Sequence, residues 1–137
     1  MKYNEATANR PEGSRLLDAS QLYISIPEHI AKIKEEKAWE KNDRNAITVF
    51  KNGEVTITVM LLKGGATLLP QEVDALVTAQ VVEGMISFES TQGKKNMTKG
   101  NIVVLHSSQP FNATAIEETI LLLTVFHTES GVQTSLL

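Results

Sequence analysis

Residues 64–84 read GGATLLPQEVDALVTAQVVEG, and residues 100–115 read GNIVVLHSSQPFNATA. Each stretch begins with a glycine and then passes into a segment in which apolar and polar side chains alternate, as in Val77 to Val81 and Phe111 to Ala115. A period of two residues is typical of a strand with one buried face. Glycine is suited to the left-handed backbone of tight turns. The two stretches therefore predict short strands that are separated by tight turns.

The same alternation continues on both sides of these stretches. Val55 to Leu61 alternates, and the pair Asn52-Gly53 before it is a strong hairpin signal. Further strands are predicted at 47–49, 77–83, 85–88, 102–105, 111–116 and 119–126. Many short strands at this spacing favour an antiparallel sandwich or barrel, so the fold class is all-β.

One helix is predicted before the main series of strands. Ser25-Ile26-Pro27-Glu28 has the form of a capping box, in which the serine accepts from the Glu28 amide. Apolar residues then recur at helical spacing at Ile26, Ile30 and Ile33. The pattern predicts a helix over 26–38 whose apolar side packs on a sheet. A short strand is predicted within 16–24.

The glycine spacing carries a family resemblance. Gly65 and Gly84 fall on the frame G-x5-H-x-H-x3-E-x6-G, and Gly100 begins the frame G-x5-P-x-G-x2-H-x3-N. These are the paired motifs of the cupin family, and the chain resembles a small single-domain, RmlC-like cupin over about residues 45–127. The resemblance implies a cupin-type double-stranded β-helix, or jelly-roll barrel, with one short N-terminal helix.

The domain organisation follows from this resemblance and from composition. We expect a polar N-terminal arm at 1–15 and a single cupin domain at 16–137, with the barrel core at about 45–127. The chain has 137 residues, which is a typical length for one domain.

The metal ligands of the family are replaced in this sequence. Metal-binding cupins hold one ion with two histidines and a glutamate of the first motif and a histidine of the second. Those positions read Gln71, Val73, Val77 and Phe111 here. A lone amide is a poor set of donors for a first-row metal. We therefore expect no metal and no other cofactor.

Strand alternation indicates what lines the barrel instead. If Val77 points inward, then Ala79 does too, and Phe111 brings Ala115 to the same side. The predicted ligand-binding set is Gln71, Val73, Val77, Ala79, Phe111 and Ala115. Two interpretations stay open: a dry pocket for a small molecule oriented by Gln71, or a barrel filled by its own side chains.

The sequence favours binding over catalysis. The first hypothesis is a metal-independent barrel that binds or senses a small molecule. The second is an isomerase, epimerase or dioxygenase that uses His106 as an acid/base or relocated metal ligands such as His106 and His127. The third is a structural or assembly scaffold.

Charge and composition narrow the partners. The formal charge of −3 leaves no basic footprint for nucleic acid, and no apolar run approaches the roughly 20 residues of a membrane-spanning helix. The chain contains no cysteine, and its first residues lack the apolar core of a signal peptide, so a cytoplasmic location is expected. Exposed sheet edges favour pairing with a second copy of the chain, so we expect a homodimer.

Overall fold

The structure is a computed structural model, and it describes residues 2–4, 15–68, 75–106 and 109–127. Within these ranges the chain is mostly β, with eleven strands and two short helices, which confirms the all-β prediction. The elements are β1 (Lys2–Asn4), β2 (Arg15–Asp18), α1 (Ile26–Glu35), α2 (Lys37–Lys41), β3 (Arg44–Lys51), β4 (Val55–Leu62), β5 (Thr67–Leu68), β6 (Ala75–Glu83), β7 (Met85–Ser90), β8 (Gly93–Thr98), β9 (Ile102–His106), β10 (Phe111–Ala115) and β11 (Thr119–His127).

Two antiparallel sheets form the barrel. The five-stranded sheet has the order β3-β4-β11-β6-β9, and the four-stranded sheet has the order β5-β10-β7-β8. The pairs are nested along the chain: β7 pairs with β8, β6 with β9, β5 with β10 and β4 with β11. The chain is thus one long hairpin wrapped around a common interior, which is the jelly-roll arrangement.

The main core lies between the two sheets. Leu62, Val81 and Leu121 from the five-stranded sheet meet Ile86 and Ala115 from the four-stranded sheet, and all five are buried. Successive side chains of a strand point to opposite faces, so residues two apart along each strand share this interior. The alternation of the sequence therefore predicts the inner face correctly.

A second core lies on the outer face of the five-stranded sheet. Ile33 of α1 is fully buried there against Val59 and Leu61 of β4 and Ile47 of β3. This confirms that the apolar side of the helix packs on a sheet. The helix begins as predicted, because Ser25 Oγ accepts from the Glu28 amide at 3.4 Å.

The predicted single helix at 26–38 extends three residues too far, because α1 ends at Glu35. The chain leaves helical geometry at Glu36, whose backbone is extended, and a separate short helix α2 follows. Glu36 is buried, and its Oε1 accepts from Asn45 Nδ2 at 2.8 Å. We attribute the break to this tertiary contact, which ties the end of α1 to β3.

Two barrel strands, the two-residue β5 and the longer β8, are not predicted by periodicity. β8 has the sequence GKKNMT, in which only Met97 is buried, and its polar composition indicates a hairpin loop rather than a strand. β8 is an edge strand with one partner, β7, so most of its side chains face water.

The N-terminal region contributes a small separate sheet. β1 pairs with β2, which lies beside β3 and falls partly within the strand predicted at 16–24. Residues 5–14 of the predicted arm lie outside the described residues, and the division into arm and domain stays a prediction. Neither described helix is long and apolar enough to cross a membrane.

Candidate ligand-binding site

The barrel interior differs between its two ends. At one end, called the closed end, the inward side chains of Leu62, Val81 and Leu121 are at most 2% exposed. At the other, called the open end, the inward side chains of Val77 and Val125 are half-buried, although Ala75 beyond them is 3% exposed. A barrel filled along its whole length would bury both ends equally. The side chains of Val77 and Val125 are therefore less completely covered than those of the closed end.

The predicted site residues divide between these ends. Val77 and Ala79 of β6 lie on the inner face and are half-buried, as is Phe111 on the opposite sheet. Ala115 is 1% exposed and belongs to the closed end, beside Ile86. The structure thus separates Ala115 from the other three. Gln71 and Val73 lie outside the described residues.

An aromatic pair spans two strands of the four-stranded sheet. The rings of Phe88 and Phe111 are stacked, with centroids 5.7 Å apart and an interplanar angle of 20°. Both rings pack on the main core and are half-buried. The position that a metal-binding cupin would use for a histidine is therefore occupied by one member of an apolar stack.

His127, which the sequence analysis names as a possible relocated metal ligand, lies at the open end and is exposed. It follows Leu121, Leu123 and Val125 at intervals of two, which places it on the inner face. Its Nε2 lies 3.0 Å from Thr56 Oγ1, on the neighbouring strand β4. The same alternation that identified the strand contained this signal.

His106 lies on the opposite face of the sheet. It alternates with Val103 and Leu105, of which Val103 packs in the interior, and shares the outer face with Ile102 and Val104. His106 is exposed, and β9 is an edge strand. The structure therefore does not bring His106 and His127 together on one face.

The residues at the family's ligand positions do not fit a metal ion. Val77 and Phe111 offer no donor, and the sequence supplies only an amide at Gln71 and another valine at Val73. Divalent first-row metals prefer imidazole, thiolate or carboxylate donors. Among the described residues, no three His, Asp or Glu side chains are grouped closely enough to hold an ion.

A cavity of about 550 Å³ lies where the edge strands of the two sheets face each other, and we call it the seam cleft. It is bounded by the end of β7, by β8 and by the start of β9. Its apolar wall contains Phe88, Met97 and Val103. The sequence analysis did not predict this cleft, because β8 was not identified as a strand.

The comparisons with known proteins agree with this architecture. No protein-family model and no curated protein matches the sequence. Among solved structures, a protein of unknown function from Rhizobium leguminosarum is similar at a TM-score of 0.61 and 17% identity, covering 81% of this chain and 100% of that one.

Two further solved structures are similar over the barrel. An RmlC-like cupin from Shewanella frigidimarina has a TM-score of 0.58 at 17% identity, covering 64% of this chain and 79% of that one. The cupin domain of an XRE-family transcriptional regulator from Enterobacter cloacae has a TM-score of 0.55 at 12% identity, covering 65% of this chain and 100% of that one. Likenesses at such low identity show the fold alone, and this chain accordingly has the cupin jelly-roll fold that its glycine spacing predicts.

Proposed function

We propose that this protein is a metal-independent barrel that binds a small apolar or partly polar molecule at its open end. The observation that supports this most directly is the half-buried apolar lining at Val77, Ala79 and Phe111. It occurs on a frame whose metal-donor positions carry no imidazole and no carboxylate. A pocket of this kind is suited to holding a ligand by apolar contact.

The energetic argument rests on the area that a ligand would cover. Burial of apolar surface contributes about 25 cal/mol per Å², so covering about 100 Å² at the open end contributes about 2.5 kcal/mol. The stacked rings of Phe88 and Phe111 offer a planar surface within that lining. Thr56 and His127 add a polar group at the rim that could accept or donate a hydrogen bond.

A thermal-shift screen with small apolar and amphipathic compounds tests the proposal. A compound at about 100 times its dissociation constant stabilises the fold by about 2.7 kcal/mol. The variant Val77→Trp should abolish this shift because the indole fills the open end. Ile116→Trp is the matched control, since Ile116 is 50% exposed in the turn before β11. Equal shifts in both variants would place the ligand elsewhere.

Metal independence needs its own measurement. Elemental analysis of tag-free protein should find far less than one equivalent of iron, nickel, manganese or zinc. One bound equivalent of any of these metals would contradict the proposal. His106→Ala tests the catalytic alternative, because an enzyme that uses this residue as an acid/base would lose turnover on its substrate.

A sensing role is the form of binding that we favour. The Enterobacter cloacae structure is described as the cupin domain of a transcriptional regulator, so a barrel of this fold occurs within a regulatory protein. The scaffold alternative predicts that no compound shifts the melting temperature. The cytoplasmic location expected from the sequence stays a prediction.

We also propose that the protein forms a homodimer through the outer face of β9. Ile102 and Val104 are each 56% exposed there, on an edge strand. Edge strands with apolar side chains favour pairing with another chain. Sedimentation should show a dimer that Val104→Lys dissociates and that Ile116→Lys, at a similarly exposed isoleucine, leaves intact. A wild-type monomer at tens of micromolar, by order of magnitude, would contradict this.

A further inference from the structure

The seam cleft has the size and the walls of a ligand site, and it lies outside the set of residues predicted from the sequence. Its volume of about 550 Å³ falls within the range of roughly 300–1,000 Å³ that is usual for small-molecule sites. Phe88, Met97 and Val103 form its apolar wall, and all three also pack on the main core. The wall is therefore held in place by the barrel.

The charged groups around the cleft are of one sign. Lys94 and Lys95 are the ionisable residues of its lining, which contains no aspartate or glutamate. Within the described part of the chain, neither lysine takes part in an ion pair. The lining also includes the amide side chains of Gln92, Asn96 and Asn101. A ligand with a negative group would meet no opposing carboxylate here.

The strand register distinguishes the two lysines. Lys94 lies directly opposite Glu89 on β7, whereas Lys95 lies directly opposite Phe88. Lys95 also shares its face of β8 with the buried Met97, since the two are two residues apart. The ammonium group of Lys95 is therefore carried on the inner side of the sheet, beside the apolar wall, and its cross-strand neighbour does not neutralise it.

We propose that the seam cleft binds a small aromatic carboxylate. The flat apolar body lies against Phe88, Met97 and Val103, and the carboxylate pairs with Lys95. The carboxylate accepts hydrogen bonds from the lysine ammonium. The cleft shares Phe88 with the lining proposed at the open end, but neither Val77 nor Phe111 lines it, so the two sites are tested by different residues.

The charge should affect affinity in a predictable way. An ion pair at an exposed position contributes up to about fivefold in dissociation constant, and salt screens it. The neutral analogue of the same ligand keeps the apolar contacts and loses only this contribution. A comparison of the two compounds therefore isolates the lysine from the wall.

The experiment uses 2-naphthoate and its neutral counterpart 2-naphthylmethanol, titrated into isotopically labelled full-length protein and followed by amide chemical shifts. We expect the shifts caused by both compounds to map to β8, the end of β7 and the start of β9. Lys95→Gln should weaken naphthoate about fivefold and leave the alcohol unchanged, and Lys95→Glu should weaken naphthoate further. Both substitutions are at an exposed residue, so the fold should persist.

Lys99→Gln is the matched control. It removes the same charge from the turn that follows β8, but Lys99 lies outside the cleft and its Nζ is 3.6 Å from Glu83 Oε1. Naphthoate binding that is equally weakened by Lys99→Gln would show a general charge effect and would overturn the proposal. Amide shifts that map to Val77 and Phe111 instead would also overturn it while supporting the function proposed for the open end. An absence of any shift in the cleft at millimolar naphthoate would overturn it as well.

Discussion

The turn at Gly84 offers a sharp test of how the frame glycines hold the barrel together. Its φ is +94°, and a Cβ built on this residue would lie 2.5 Å from the carbonyl oxygen of Glu118 and 2.5 Å from Thr119 Oγ1. Thr119 is fully buried, and its Oγ1 accepts from the Met85 amide at 3.1 Å. Neither neighbour is the free end of a flexible side chain. Gly84→Ala therefore forces backbone to move.

Gly65 supplies the matched control. Its φ is +93°, almost the same as that of Gly84, but a Cβ added there would meet nothing within 4 Å. A left-handed alanine costs about 1–2 kcal/mol. The lower entropy of the unfolded alanine chain offsets about 0.4–1 kcal/mol of this. Gly65→Ala should therefore destabilise the fold by about 1 kcal/mol.

Gly84→Ala carries the same backbone cost and an additional steric one. Forcing an extra methyl group into a packed site typically costs about 1–3 kcal/mol. Displacement of Thr119 also weakens its hydrogen bond with Met85. The free energy of unfolding should therefore fall by about 3–4 kcal/mol in total.

The assay is equilibrium urea denaturation of both variants and of the wild type, followed by circular dichroism. We expect the midpoint of Gly84→Ala to lie well below that of Gly65→Ala, with similar slopes. If Gly84→Ala is already unfolded without urea while Gly65→Ala is folded, Gly84→Ala is again the less stable of the two. Equal losses in the two variants would refute the reasoning, because they would show that the close approach to Thr119 has no energetic weight.

Three smaller perturbations test individual contacts. Thr119→Val should lower the free energy of unfolding by about 1–3 kcal/mol in urea titrations, since it leaves the half-buried Met85 amide without its acceptor. Ser25→Ala should cost about 0.5–1 kcal/mol by removing the helix cap, and Ser25→Asp should restore most of it. The Arg44 guanidinium, by hydrogen bonding, holds the pKa of Asp43 below its ordinary value. The small stabilisation from the Asp43–Arg44 contact is therefore present above the ordinary pKa of Asp43 and is lost as pH falls through its lowered pKa. In the Arg44→Gln variant, an NMR titration should show the pKa of Asp43 rise toward its ordinary value.

Local patterns in the sequence predicted most elements because their causes are local. The Ser25 cap, the helical spacing of Ile30 and Ile33 and the period of two in β4, β6 and β11 each act within a few residues. The glycines of the two motifs also predict turns correctly, because Gly65, Gly84 and Gly100 all have the positive φ that glycine adopts readily. These signals are sufficient for the fold class and for the inner face of each strand.

The elements that the sequence missed depend on distant parts of the chain. β8 is a strand because β7 pairs with it, although its own side chains are mostly polar. The helix ends at Glu35 where the buried Glu36 meets Asn45, nine residues further along. Neither contact has a signature in the local pattern.

The sequence by itself determined that the chain is an antiparallel barrel with a helix on one sheet, and that the family's metal donors are replaced. Only the tertiary structure decided how deep each inward residue lies. Val77 and Ala115 follow the same alternation rule, yet one is at the open end and the other at the closed end. It also decided that His127 faces inward beside Thr56 and that β8 and β9 leave a cleft. Periodicity assigns a face, whereas depth depends on how far the neighbouring strands extend, which is a property of the assembled sheets.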